Sequence, residues 1–343
     1  MALRNPYERL DPPPRPHWKS QLTPSQFGAM AEDLLAVSLN AAASGSGTTA
    51  RPLIDRGIDL YFRRLRSLLV ALIQVKGLRT LNSSGVGAFA LPVAEIPKDA
   101  LGYLALVHLP PPYDQLYRRV FLIPFADLHA RCPRTRSKGI ESFNITADFA
   151  NLNQNPWAQS AVDLDELSRW VGAIPGWSRA ATPDSDSALA ISDRELPGAA
   201  QLQAGLSELW VAGQLEQAGG TNLVVAEDRI RLDTVTLLIH QTGSNEVAGL
   251  HVRTHQISKH GTVHFTILPR QFFVDEKLYV LILILKDGAT LADYCLLIPS
   301  GEMARLGFDE TITIDPFSPK FQPYRVATAE IATTFLKTAF GGN

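Results

Sequence analysis

The chain has 343 residues, 45% of them hydrophobic and 19% charged, with a net charge of −2; this is enough apolar material for a large core, and the length points to two domains. No window reaches the ~18 consecutive apolar residues of a membrane span, and the opening MALRNPYERLDPPPRP lacks the apolar segment of a secretory signal, so no membrane partner is expected and the compartment expected is the cytoplasm. Cys132 and Cys295 are too few for a disulfide framework and fit no metal-ligand spacing, which leaves reduced, buried thiols as the reading.

In chain order, residues 1–20 form a proline-rich N-terminal arm, and the first helix starts at a capping box. Thr23 is the N-cap, Pro24 the first helical residue and Gln26 the third, ahead of the amphipathic FGAMAEDLLAVSL. The stretch DRGIDLYFRRLRSLLVALIQVKG, residues 55–77, reads as a strand hairpin turning near Arg66 and Ser67. Tyr103 opens a strand, turn and strand ending in Ile-Pro before a short helix, and Arg131, Arg134, Arg136 and Lys138 then make a basic loop. Residues 182–198, TPDSDSALAISDRELPG, have the Ser, Asp and Pro content of a linker. They separate a module at 21–181 from one at 199–343.

The second module repeats the first. Glu32 and Glu208 lie 176 residues apart, Asp59 and Asp233 174, Lys76 and Arg253 177, and Pro124 and Pro299 175. Register held over so many elements predicts two tandem α+β modules with central mixed β-sheets, a pseudo-dimer within one chain, and the period is far too long for a solenoid. Charge divides unevenly between them. Residues 1–180 hold 20 Lys and Arg against 15 Asp and Glu, a balance of +5, whereas 181–343 hold 12 against 19, a balance of −7.

Side chains alternate along a strand, so Gln74 and Lys76 share a face, and a turn at Arg66–Ser67 brings Asp59 opposite Gln74 or Lys76. Glu32 completes the group if its helix packs on the sheet. A carboxylate, a carbonyl oxygen and a lysine meeting on a sheet suit a hard divalent cation and the charge that develops at a phosphate.

The order Gly28-x-x-x-Glu32, Asp55-x-Gly57-Ile58-Asp59, Gln74-x-Lys76 resembles the PD-(D/E)xK nuclease superfamily, in particular its Mrr-type branch, over residues 25 to about 130 and more weakly from 202 to about 310. The resemblance implies an α/β/α restriction-endonuclease-like fold and a metal-dependent endonuclease acting on DNA. Asp59, Gln74 and Lys76 would be catalytic with Glu32 assisting, and Mg²⁺ or Mn²⁺ would be held by Asp59, Glu32, Gln74 and the main-chain carbonyl of Val75. Gln74 stands where the superfamily usually has an acidic residue.

In the second module Glu208 and Asp233 remain, but His251 and Arg253 replace Gln74 and Lys76, which predicts a degenerate site. Arg keeps its proton, and a His nitrogen is a poor Mg²⁺ ligand. One competent site per chain predicts nicking by a single chain and double-strand cuts only when two copies meet as a homodimer. Arg63, Arg64 and Arg66 at the hairpin tip, with Arg134, Arg136 and Lys138, are the candidate phosphate contacts. Five histidines, His240, His251, His255, His260 and His264, crowd the second module, but their flanks read as strands and no cysteine is near, which argues against zinc. The rival reading is a non-catalytic tandem scaffold for protein or nucleic-acid binding; a third is a hydrolase of small phosphate esters.

Overall fold

The computed structural model describes residues 22–54, 57–98, 101–153, 155–177, 199–228, 235–242, 244–265, 267, 272–286, 290–306 and 312–341, with 199–204 as helix backbone only. The arm at 1–20, the linker at 182–198, Asp55 and Asp233 lie outside the described residues.

Helix α1 (Pro24–Ala42) begins as its sequence dictates. Gln26 donates its main-chain N–H to the Thr23 hydroxyl at 3.2 Å, and the Gln26 carbonyl oxygen accepts the Thr23 N–H at 3.0 Å, so the capping box closes in both directions. Phe27, Ala31, Leu35 and Leu39, spaced four apart, are buried along one stripe. Each fully buried leucine of this kind contributes about 1.5–3 kcal/mol.

Three strands follow: β1 (Gly47–Pro52), β2 (Leu60–Arg64) and β3 (Val70–Leu78), an antiparallel meander whose β2–β3 turn falls at Leu65–Leu69. Strand β4 (Val86–Pro92) leaves the sheet, β5 (Gly102–His108) returns parallel to β3, and β6 (Arg119–Pro124) runs back into α2 (Phe125–Arg131). Beyond α2, β7 (Arg134–Ser137) and β8 (Ile140–Asp148) form a hairpin, with β8 pairing β4 in a small three-stranded sheet. The basic segment expected as a loop is therefore divided: Arg131 ends α2, Arg134 and Arg136 lie on β7, and Lys138 is in the hairpin turn. Strand β9 (Ala161–Asp163) edges the main sheet, and α3 (Leu167–Ala173) packs back on α1.

The remainder runs α4 (Ala199–Gly219), β10 (Leu223–Glu227), β11 (Leu237–Gln241), β12 (Val247–Gln256), β13 (Val263–Phe265), β14 (Leu278–Lys286), β15 (Thr290–Leu291), β16 (Tyr294–Pro299), α5 (Ser300–Arg305), β17 (Ile312–Ile314), β18 (Arg325–Ala327) and α6 (Ile331–Phe340). Strand β15 pairs only with β14, β13 pairs with β17 in a separate two-stranded sheet, and the main sheet carries the order β18-β16-β14-β12-β11-β10-β1-β2-β3-β5-β6-β9. Read outward from the β1–β10 seam, both sides show the same sequence of pairings: two antiparallel, one parallel, then two antiparallel.

Where two sheets were expected there is one continuous α+β sheet, closed edge to edge by β1 and β10. Arg51 faces Glu227, Pro52 faces Ala226, and Leu53 N–H donates to the Val225 carbonyl at 2.9 Å. Covering both inner edges this way removes two rows of unpaired backbone groups.

The seam also holds charge. Arg63 and Asp228 are both fully buried, and their Nη2–Oδ2 distance is 3.0 Å. Thr48 donates to Asp228 Oδ1 at 3.2 Å, and Arg63 Nη1 donates to the Ser67 carbonyl at 3.1 Å. Tyr61 Oη lies 3.3 Å from His240 Nδ1 beside them.

The sheet has two covered faces. On one, α1 and α3 close over Leu60, Phe62, Ile73 and Val75, and α4 and α6 over Val225, Ile239, Leu250 and Val252. On the other, a core continuous across the seam joins Tyr61, Leu72, Leu104 and Phe125 to Val224, Ala226 and Leu238. Both cysteines are buried and free, and burial pushes the Cys295 thiol up to about 12. Among the described residues no helix is long and apolar enough to cross a membrane.

Candidate functional site

The ends of β2 and β3 assemble the polar group anticipated from the sequence. Leu60 pairs with Ile73, so Asp59 stands across from Gln74, and the Asp59 N–H donates to the Ile73 carbonyl at 3.0 Å. Its carboxylate turns toward β3, where Oδ2 accepts the Val75 N–H at 2.6 Å. That bond fixes the carboxylate against the strand carrying Gln74 and Lys76.

Gln74 is buried, with 2% of its surface exposed, and the hydrogen-bond network assigns its amide. The nitrogen donates to the carbonyls of Gly57 at 3.0 Å and Glu95 at 3.3 Å, while the oxygen accepts from Lys76 Nζ at 3.2 Å. Lys76 is half-exposed, and its ammonium lies 3.9 Å from Glu95 Oε2. Gln74, Lys76 and Glu95 thus form one cluster, with the Asp59 carboxylate held to the same strand at Val75.

Glu95 is the member that sequence spacing missed. It ends a short 3-10 turn, Val93–Glu95, entered directly from β4. The turn seats against Gly57, whose φ of +85° requires glycine and where an added Cβ would lie 2.8 Å from the Glu95 carbonyl oxygen. No local pattern ties Glu95 to Lys76, 19 residues earlier; only the return of β4 across the sheet does.

Glu32 is placed differently from the expectation. Helix α1 does pack on the sheet, but over the Ile73 and Val75 face, opposite to the one that Gln74 and Lys76 occupy. Glu32 is engaged there by Arg51 Nη1 at 3.6 Å, while Arg51 Nη2 holds Asp33 at 2.6 Å.

The arginines of the β2–β3 turn also require correction. Arg63 is fully buried against Asp228 and cannot meet a phosphate. Arg64 donates to the Gly176 carbonyl at 3.2 Å and Arg66 to the Phe272 carbonyl at 3.4 Å, so both tie the turn to neighbouring segments. Arg66 is nonetheless exposed, as are Arg134, Arg136 and Lys138 on the β7–β8 hairpin, so it is Arg63 that is removed from the candidate contacts.

In the second half the strand register matches Leu237 to Leu60 and Leu250 to Ile73, which places Thr236, and not Asp233, at the position of Asp59. The hydrogen bonds agree: Thr236 N–H donates to the Leu250 carbonyl at 2.9 Å, and Thr236 Oγ1 accepts the Val252 N–H at 3.0 Å. His251 and Arg253 take the places of Gln74 and Lys76, and Arg253 Nε donates to His251 Nε2 at 2.8 Å. Glu208 is buried on α4. The other histidines disperse: His240 meets Tyr61, His264 lies between Thr262 and Thr313, and His255 stacks on Phe265 at 5.3 Å. Burial and then the Arg253 charge push the His255 imidazole down to about 4.

Among the described residues no three His, Cys, Asp or Glu side chains converge as a metal cluster. The donors at β2 and β3 are fewer and harder: the Asp59 carboxylate, the Gln74 carbonyl oxygen and the Glu95 carboxylate beyond Lys76. These are oxygen donors of the class that Mg²⁺ takes, which is commonly held by one or two carboxylates with waters and substrate phosphate completing its shell. The chain matches no family model, no curated protein and no solved structure.

Proposed function

We propose that the chain is an internal duplication of a restriction-endonuclease-like module, and that its first half is a divalent-cation-dependent endonuclease hydrolysing DNA phosphodiester bonds. The observation that carries this reading is the cluster of Asp59, Gln74 and Lys76 at the adjoining ends of β2 and β3, now with Glu95 against the lysine. The mirrored pairing order about the β1–β10 seam supports the duplication.

In this reading the Asp59 carboxylate would be the principal holder of Mg²⁺ or Mn²⁺, with the Gln74 oxygen beside it shared with the Lys76 ammonium, and the cation would supply a water of lowered pKa and an offset to phosphate charge. Asp59 is pre-set for the task because one of its oxygens is already anchored to Val75 N–H. Lys76, half-exposed, places an ammonium where negative charge grows on the phosphate, and Gln74 and Glu95 fix the direction in which it points. Glu32, being engaged by Arg51, acts on the support of α1 and β1.

The second half lacks the carboxylate at the matching position. Thr236 reproduces the bond to the strand but carries no charge, so this half has neither anionic ligand nor lysine and serves as architecture. The test is cleavage of supercoiled plasmid with Mg²⁺ or Mn²⁺, with Lys76→Ala as control. Cation-dependent nicking lost in the variant supports the endonuclease; its absence from the wild-type chain, with the cation still bound, favours the non-catalytic scaffold.

A further inference from the structure

The β7–β8 hairpin extends beyond the strand it pairs with. Pro92, the last residue of β4, faces Ser142, and β8 starts two residues earlier, at Ile140. The connecting turn is as short as a hairpin allows: Ser137 pairs with Ile140, and Lys138 and Gly139 both have positive φ, +50° and +84°. Such a two-residue turn imposes strong right-handed twist on the ribbon.

The chemistry of this tip is unusual for a solvated loop. Arg134 is drawn toward Glu141 at 3.8 Å and lies over the Phe143 ring, bracing the base of the hairpin. Arg136 and Lys138 make no ion pair among the described residues, and both are exposed. Directly after the turn, across from Ser137, stands Ile140, an aliphatic side chain 57% exposed. An isoleucine beside the apex of a hairpin gains nothing from water, and a twisted ribbon bearing two cations outside any ion pair and an exposed apolar residue next to its turn matches the chemistry of minor-groove contact. There Lys and Arg meet the backbone and an apolar residue presses between base steps.

Position agrees with charge. The Val93–Glu95 turn, which carries Glu95 to Lys76, lies against β8, and His129 Nε2 lies 3.1 Å from the Ile96 carbonyl while Arg134 donates to the His129 carbonyl. The arm and the candidate site are therefore built on one rigid set of contacts at the same end of the small sheet.

We propose that the β7–β8 hairpin is a duplex-DNA arm, with Arg136 and Lys138 on backbone phosphates and Ile140 in the minor groove beside the Asp59–Lys76 site. The proposal rests on the endonuclease reading for its substrate, and its test does not depend on cleavage. Binding of a fluorescent DNA duplex is measured by anisotropy without divalent cation, on Asp59→Asn chain and on the same chain with Arg136→Ala and Lys138→Ala. The expected result is about a tenfold loss of affinity and a fall of about 1.8 in the slope of log K against log salt, the value for two phosphate contacts. Ile140→Ser is expected to weaken duplex binding with the salt slope unchanged, and netropsin, a minor-groove ligand, is expected to compete with the parent. All three positions are exposed, so unchanged thermal midpoints will show that the variants fold.

Equal duplex affinity in parent and Arg136→Ala/Lys138→Ala chains overturns the arm, as does binding to anionic vesicles in place of duplex. Indifference to netropsin together with a neutral Ile140→Ser overturns the minor-groove assignment. Hairpin-dependent binding by a wild-type chain that does not cut plasmid leaves the arm standing and removes the endonuclease reading. Cutting by a wild-type chain whose hairpin variant binds and cuts equally does the reverse.

Discussion

The two halves of the sheet hold the same backbone and different chemistry. At the entry to β2 an acceptor is needed for the amide one residue before the Lys/Arg position on the next strand, and both halves supply it: Asp59 for Val75, Thr236 for Val252. The backbone role can be met by any short side chain with an oxygen. The charge cannot, and of the two only Asp59 brings a carboxylate. Local hydrogen bonding therefore sets the same geometry with two different side chains, which is why an Asp233 picked by sequence offset competes poorly with the Thr236 given by strand register.

That contrast yields its sharpest test at the two matched positions. Asp59→Asn keeps the acceptor for Val75 and removes the charge, so plasmid nicking should fall by at least about 10³-fold, of the order that several kcal/mol of metal-assisted stabilisation represents. Thr236→Val should leave nicking unchanged. Equal losses from both substitutions would refute the division into one live half and one architectural half.

The seam tests whether the halves can be separated. Asp228→Ala strands the Arg63 guanidinium in a fully buried position, and breaking such a pair from one side costs about 3–5 kcal/mol. Urea unfolding should show that loss as a single transition in which both halves melt together. Replacing both partners, with Arg63→Met and Asp228→Leu, should recover much of it; no recovery would mean the polar network specifies the join in a way apolar packing does not.

Converting the second half into a copy of the first sharpens the comparison further. His251→Gln with Arg253→Lys restores the Q-x-K pattern yet leaves Thr236 uncharged, so metal affinity by calorimetry should stay unchanged. Adding Thr236→Asp should introduce a second, weak binding event. A second event in the double variant alone would show that the missing carboxylate is not what disables this half.

The smallest effect concerns pH. His255 has its pKa lowered from 6.5 to about 4 in the folded chain, so between those values the unfolded chain binds a proton that the folded chain does not. Stability from this group is complete above pH 6.5 and is lost as pH falls toward 4. His255→Phe, which keeps a ring against Phe265, should flatten the stability of the second half across that window in thermal melts.

The sequence by itself determined the elements whose causes are local. The Thr23–Gln26 capping box, the β2–β3 turn at Arg66 and Ser67, and the shared face of Gln74 and Lys76 follow from capping chemistry, turn preference and strand alternation, each acting within a few residues. The repeat offsets located paired strands for the same reason, since each copy folds by its own short-range pattern. Tertiary structure decided what depends on which face or edge meets which. It set α1 and Glu32 on the face opposite Lys76, carried Glu95 to the lysine, buried Arg63 against Asp228, and joined the β1 and β10 edges into one sheet. Those outcomes rest on contacts between residues up to 176 positions apart, as in the Arg51–Glu227 pairing, and no periodicity in the chain reports which of two equivalent faces a helix will cover or which edge strand will find a partner.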